Sequence, residues 1–537
     1  MPPTIAVPAN ARFAFVAKVG ACVGLLAMSD ALFYGYAGGS VIGLFALAWV
    51  IALVLVRPVV RRSLGGRAAI IAALLLALAL AYAPDLLGVV LFFLALGTAA
   101  LLPRHRFDHA GLWAIRLAAL GVKAPIGPAS DLRRIGKLPG RSSRWSANEI
   151  ALQLGLPLIG GGLFLALFAH ANPVLGSALG TIRMPGLGPM FAHMLLIGAT
   201  LTFVWPTFRP RATRLSSERE PIPARLPDLR ITTMVLTLTV FNAIFAVENA
   251  LDIVFLWSGA TLPDGVTLAD YAHRGAYTLI ATALLAGLFV LIALQPGSAA
   301  AKNRTVRMLV LLWIGQNVFL VASSVLRVLD YIDVYSLTVL RIAALMWMAL
   351  VATGLVLICW RLMTRRSAAW LINANAIAAA IVLTASSIVD LGAVAAQWNV
   401  AHLRDPARLD LCYLSRQGSA ALIPLIELRD APVSAAIRDR AIYLSDREYR
   451  DLALQQADWR GWTWRGARRL EDAEAMLDDD TRQPRPAPHG RLCDGRLRPP
   501  PPLPPAIKAP STETPPAQTG PTSSPDASTP LTPEQNP

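Results

Sequence analysis

Residues 68–102 read AAIIAALLLALALAYAPDLLGVVLFFLALGTAALL. Two apolar runs, Ala68–Ala83 and Leu86–Leu102, are separated by little more than Pro84-Asp85. Each approaches the ~20 apolar residues that carry a helix across ~30 Å of hydrocarbon. The pair therefore reads as a tight hairpin of membrane-spanning helices. Working outward, nine further stretches have the same character: Arg12–Phe33, Gly38–Val56, Ile150–Ala169, Leu187–Phe208, Ile231–Trp257, Ala276–Leu294, Met308–Leu326, Ile342–Trp360 and Leu371–Val389. The expected fold is all-α, a polytopic transmembrane bundle of about eleven spans. Composition agrees. Of 537 residues, 55% are hydrophobic and only 15% charged, against about 25% charged in a soluble domain. That excludes a cytosolic enzyme and, for most of the chain, intrinsic disorder.

The distribution of basic residues sets an orientation. Loops after even-numbered spans carry 25 Lys and Arg; the opposite loops carry only Arg183, Arg274, Arg327 and Arg341. By the positive-inside rule the N-terminus is expected in the cytoplasm and the end of the last span outside. The +15 net charge is thereby assigned to topology rather than to nucleic acid. The first span could alternatively be a signal peptide, with Ala27-Met28-Ser29 as a small-residue cleavage site. The second span then still enters from outside.

Three regions lie beyond the spans. The bundle is expected over 1–391, with an inner loop at 103–149. Within that loop His109–Leu120 is too short to span and reads as an interfacial helix with Trp113 at headgroup depth, or else as a packed connector. Residues 392–483 read as a small helical extracytoplasmic domain; its segment Asp458–Leu470, with Trp459, Trp462 and Trp464, is placed on the core or at the interface. Residues 484–537 hold 17 prolines in 54 positions and are expected to be an extended, disordered tail. Cys412 and Cys493 both fall on the outer, oxidising side and are able to pair, although a staple from an ordered domain to a tail is unusual.

Several stretches resemble a bacterial multi-pass family known only as a domain of unknown function, numbered 4173, or its sister 4153. They are Asp30-Ala-Leu-Phe-Tyr-Gly, Ala171-Asn172-Pro173, Trp205-Pro206 with Arg209-Pro210, and Asn242 through Glu248-Asn249-Ala-Leu-Asp252. The likeness continues in Leu262-Pro263-Asp264-Gly265, Tyr271-Ala-His273-Arg274-Gly275, Tyr335-Ser-Leu-Thr338-Val-Leu-Arg341 and Trp398-Asn399-Val-Ala. It covers roughly residues 15–470. His273 stands where a more basic residue is expected, and Ser336 where glycine is. The resemblance implies a fold and a bacterial inner-membrane location, and no activity.

Ionisable residues within spans cost about 2.5–3.5 kcal/mol each at the centre on insertion scales. In span seven Asn242, Glu248, Asn249 and Asp252 fall within about 120° of one helix face. Glu248 lies about nine residues, or roughly 13 Å, below Trp257. The outer polar cluster expected from these depths comprises Glu248, Asn249, Asp252, Asp264, Asp270, His273, Arg274, Arg327, Arg341 and Asp390. Glu248 and Asp252 are expected to face the interior, with Arg274 the favoured partner of Asp252 among Arg274, Arg327 and Arg341. Nothing resembles a GxSxG elbow, a P-loop, a CxxC pair or an HExxH helix; no cofactor or metal is expected. Three function classes remain. The first is a non-enzymatic accessory, sensory or scaffolding protein of the envelope, meeting partners through residues after Gln397. The second is a transporter or ligand-binding protein using the span-seven stripe. The third and weakest is an enzyme acting on lipid or envelope glycan.

Overall fold

The chain is described here by a computed structural model over residues 9–36, 38–135, 187–211, 230–258, 285, 303–364, 366–403, 409–477, 480 and 482–500. No strand element forms among these residues; an isolated antiparallel bridge joins Arg491 and Leu497. The helices are α1 (Ala9–Phe33), α2 (Val41–Val56), α3 (Leu64–Tyr82), α4 (Leu86–Leu101), α5 (Ala110–Val122), α6 (Ile126–Ile135), α7 (Leu187–Phe208) and α8 (Ile231–Asp252). Then come α9 (Arg304–Tyr335), α10 (Val339–Thr364), α11 (Ala368–Ile388), α12 (Leu391–Ala401), α13 (Leu411–Arg416), α14 (Leu422–Asp430), α15 (Ala435–Ala457) and α16 (Trp464–Leu477).

Seven of these are long and apolar enough to cross a membrane: the Ala14–Phe33 part of α1, α3, the Gly188–Phe208 part of α7, α8, α9, α10 and α11. Helices α2 and α4 match expected spans but hold 16 residues each, or about 24 Å of helix. The expected spans Ile150–Ala169 and Ala276–Leu294 lie outside the described residues, apart from Leu285. The hairpin forms as read. Asp85 caps α4 by accepting from the Gly88 N–H at 3.0 Å, and Ser63 caps α3 through the Gly66 N–H, as short polar side chains do at helix starts. Gly43 lets α2 lie directly on α3, since a Cβ there would sit 2.2 Å from the Ala81 nitrogen.

Among the described residues, two large apolar cores form. One, around Leu53, Ala73, Leu80 and Leu96, joins α1–α4 with α7. The other, around Leu238, Val310, Trp313 and Leu355, joins α8–α11. Helix α5 connects them: the Ala110 N–H donates to Asn373 Oδ1 of α11 at 2.8 Å. Trp113 is buried at 3% exposure beside Leu101 and Leu120, and Arg116 pairs with Asp108 at 2.7 Å. Trp113 is thus covered by protein, against α4, as the packed-connector reading expects, while Ile115 and Val122 of the same helix stay exposed.

Among the described residues, the connections group at two opposite ends of the bundle. At one end, buried Arg57 donates to the Ala100 and Thr207 carbonyls at 2.9 Å each, satisfying the last turns of α4 and α7. At the other end the α1–α2, α3–α4 and α9–α10 connections and the end of α11 all meet the C-terminal helices. The Ser40 N–H donates to the Trp462 carbonyl at 2.8 Å. Tyr82 packs edge-on against Trp464. Asn399 exchanges two hydrogen bonds with the Leu337 backbone, at 2.6 and 2.8 Å, and the Val339 N–H donates to the Tyr413 hydroxyl at 2.9 Å.

Helices α12–α16 enclose two further small cores, around Leu414, Leu425 and Leu444 and around Leu422, Ile426 and Ala473. Buried Arg429 ties them together. It pairs with Asp446 and with Asp480 at 2.9 Å, and donates to Ser445 Oγ at 2.9 Å. The described chain also runs past the boundary expected at 484. Cys412 and Cys493 form a disulfide. Arg491 pairs with Asp439 at 2.7 Å, and Asp494 pairs with Arg440 at 3.0 Å. Residues 482–500 thus pack on α15. Their composition supports no core of their own, but their Arg, Asp and Cys side chains find partners on an existing one. The remainder of the expected tail, 501–537, lies outside the described residues.

Candidate functional site

The polar stripe of α8 faces α9. The two helices run parallel, and two contacts repeat at the same offset: Asn242 Nδ2 donates to the Leu309 carbonyl at 3.1 Å and Asn249 Nδ2 to the Gln316 carbonyl at 3.3 Å. Further along, Asp252 forms an ion pair with Arg327, with side-chain exposures of 1% and 7%. Trp257 Nε1 donates to Ser323 Oγ at 3.2 Å. Helix α9 supplies its own buried polar groups on this seam, Asn317, Ser323 and Ser324.

Glu248 departs from expectation: it is exposed. The geometry explains why. Along the helix it lies about 100° from Asn249 and 120° from Asn242, at the margin of the stripe, whereas the contact with α9 is centred on Asn242 and Asn249. Arg341 is engaged locally rather than with α8. Its guanidinium donates to the Tyr335 carbonyl at 2.6 Å and to the Ser336 carbonyl, and lies 4.2 Å from the Tyr331 ring centroid. Asp264, Asp270, His273 and Arg274 lie outside the described residues.

Asp390 belongs to a different place, the junction between the bundle and the C-terminal helices. It caps α12 through the Ala393 N–H at 3.0 Å and pairs with Arg469 at 2.6 Å and Arg465 at 3.7 Å. Burial works to raise its pKa, but the arginines and the capped N–H outweigh it and hold the carboxyl below the ordinary carboxylate range. Arg465 also donates to the Ile388 carbonyl and lies over the Tyr82 ring at 5.0 Å. Beside this cluster runs an open groove of about 810 Å³, lined by Tyr82, Val394, Trp398, Ile423, Arg465 and Arg468 among others.

The groove was visible in the sequence only through Asp390. Its cationic wall comes from one face of α16, where Arg465, Arg468, Arg469 and Asp472 stand at i, i+3, i+4 and i+7. Gly466 and Ala473, about 100° round the helix from the centre of that face, are buried. That charged spacing, coming directly after a tryptophan-rich turn, is the signal from which the groove could have been anticipated. Among the described residues no group of three or more His, Cys, Asp or Glu stands close enough to hold a metal ion.

These features define a helical protein with several helices long and apolar enough to cross a membrane, whose C-terminal helices cap one end of its apolar bundle. The chain belongs to the family described as Domain of unknown function (DUF4153), which matches residues 68–428. The match opens at the start of the α3–α4 hairpin and closes in α14, narrower than the 15–470 over which the sequence resembles the family. No curated protein and no solved structure matches the chain.

Proposed function

We propose that this is a multi-pass protein of a bacterial cytoplasmic membrane, with its N-terminus inside, that serves as a non-enzymatic accessory or scaffolding component of the envelope. On this reading helices α12–α16 and residues 482–500 form an extracytoplasmic domain that presents a fixed surface to envelope partners. The observation that carries it is the way polar groups are used. Asn242, Asn249 and Asp252 hold α8 against α9, as interhelical polar contacts do in membranes, while the C-terminal helices are fastened to the bundle through Asn399, Tyr413, Arg465 and Trp462. Polar residues on this chain are invested in rigidity, which a scaffold needs. A disulfide between Cys412 and Cys493 suits the oxidising side of the membrane.

Two experiments test this. Alkaline phosphatase and a fluorescent protein, each fused after Pro537, should give an active phosphatase and a dark fluorophore; the reverse pattern would refute the orientation. In a deletion strain with an envelope defect, the charge-free pair Asp252→Asn with Arg327→Gln should still complement, and a chain lacking residues 435–500 should not. If instead the charge-free pair fails while accumulating and folding normally, the polar seam is a transport or ligand site and the second function class replaces the first.

A further inference from the structure

We propose that the groove between α12, α14 and α16 is a binding site for the phosphodiester headgroup of a membrane phospholipid, with Arg468 as its principal cation. Arg468 carries the argument. Its neighbours are committed: Arg465 to Asp390, Tyr82 and the Ile388 carbonyl, and Arg469 to Asp390 and to Ser419 Oγ at 3.2 Å. Arg468 lines the same groove, is exposed, and has no ion-pair or hydrogen-bond partner among the described residues. The inner carboxylate, Asp390, is already neutralised by two arginines; with Asp472 also in the lining, Arg465, Arg468 and Arg469 still outnumber the carboxylates, so a further anion at Arg468 meets a wall whose balance is positive.

The height of the groove identifies the ligand's source. It opens where the ends of α3 and α11 meet the C-terminal helices, marked by Tyr82 and Ile388. On the same level the turn before α16 places Trp459 at 61%, Trp462 at 38% and Trp464 at 57% exposure, the residue type that settles at the headgroup layer. Ile388, Val389 and Val394 are exposed beside it. The groove wall is mixed, with Val394, Trp398, Ile423 and Pro424 alongside the arginines. A free phosphate has no use for that apolar half, whereas a phospholipid matches both: its phosphate reaches Arg468 and its glycerol and upper acyl carbons lie along Val394 and Trp398. At about 810 Å³ the groove falls in the ~300–1,000 Å³ range of ligand sites. This inference goes beyond the scaffolding role and holds whichever leaflet faces this end of the bundle.

The test uses the full chain, purified in detergent and delipidated, with phosphatidylglycerol added back and bound lipid counted by native mass spectrometry. We expect one lipid held preferentially, at least about tenfold weaker in Arg468→Gln, the scale of a lost charge-assisted contact. Arg62→Gln, an exposed arginine at the opposite end of the bundle, should leave it unchanged. Glycerol 3-phosphate should compete weakly. If it binds alone as tightly as the lipid, with the same dependence on Arg468, the site takes soluble phosphate esters and the lipid assignment is overturned. Equal loss in Arg62→Gln, no loss in Arg468→Gln, or no retained lipid would overturn the site itself.

Discussion

The ion pair between α8 and α9 gives the sharpest energetic test. Asp252 and Arg327 are 1% and 7% exposed, so neither charge has bulk water to fall back on. Replacing one member leaves the other charged and poorly solvated, a loss of about 3–5 kcal/mol in buried pairs. Asp252→Asn and Arg327→Gln should each destabilise on that scale. Were the two effects independent, the double variant would lose about 6–10 kcal/mol and approach the whole stability of a typical domain. Direct pairing predicts otherwise. With both charges gone, the asparagine and glutamine form a neutral amide contact, and the double variant should be no worse than the poorer single one. The cycle therefore predicts a coupling energy of about 3 kcal/mol, against less than ~1 kcal/mol for an exposed pair. Unfolding in mixed micelles titrated with dodecyl sulfate, read by far-UV circular dichroism, supplies the four free energies. Additivity within about 0.5 kcal/mol would refute pairing across this seam. Glu248→Gln, on the exposed margin, should shift stability by less than ~0.5 kcal/mol.

Other outcomes rest on the same structure. Ser336 has φ +69° and ψ 167°, a region that costs a non-glycine residue about 1–3 kcal/mol; Ser336→Gly should therefore raise the melting temperature, glycine's extra chain entropy returning only ~0.5–1 kcal/mol of the gain, and an unchanged or lower value would count against strain there. Cys412→Ser should cost up to about 4.5 kcal/mol, because the disulfide spans 81 residues of sequence and constrains the unfolded chain accordingly; equal melting curves with and without reductant would exclude that role. Truncation after Asp480 should lower thermal stability, since it removes Arg482, Arg491, Cys493 and Asp494 from their partners. Acid should loosen the C-terminal helices. Asp390, Asp439 and Asp480 are all held below the usual carboxylate pKa, so their contribution is complete above the unfolded value of ~3.9 and declines as pH falls below it. Asp446, which burial pushes up despite Arg429, has the opposite sign and softens the decline. Limited proteolysis at pH 5 and pH 3 should show the difference, and Arg469→Gln should diminish it.

Much of this architecture is legible because it depends on sequence-local physics. The α3–α4 hairpin needs only two apolar runs and a proline between them. The polar stripe of α8 comes from helical periodicity. Even the serine that stands at a glycine position, Ser336, has a physical counterpart in its positive φ. The features that escape reading depend on partners distant in sequence. Trp113 reads as an interfacial anchor until α4 covers it. Arg468 reads as one more basic residue until α16 is laid beside α12. Residues 490–498 disappear into a proline-rich tail, although Asp494-Gly495 is a hairpin signal; Gly495 has φ +79°, and the Leu492 N–H donates to the Arg496 carbonyl at 2.8 Å. Composition averaged over 54 residues hides a short segment that folds back on α15.

The family boundary divides the groove in two. Tyr82, Asp390, Val394 and Trp398 lie within residues 68–428, as do Leu337 and Asn399, which lock the α9–α10 turn to α12. Arg465, Arg468 and Arg469 lie beyond it. Arg429, the first residue outside the match, organises the C-terminal extension by binding Ser445, Asp446 and Asp480. The matched segment thus supplies the apolar wall and one half-buried carboxylate, and the extension supplies the cations together with Asp472. Without α16, Asp390 would keep its capping bond to Ala393 but lose both guanidinium partners, leaving an acidic rather than a basic groove. The sign of the charge at this end of the bundle, and with it the kind of ligand it can hold, is set by the extension and not by the family segment.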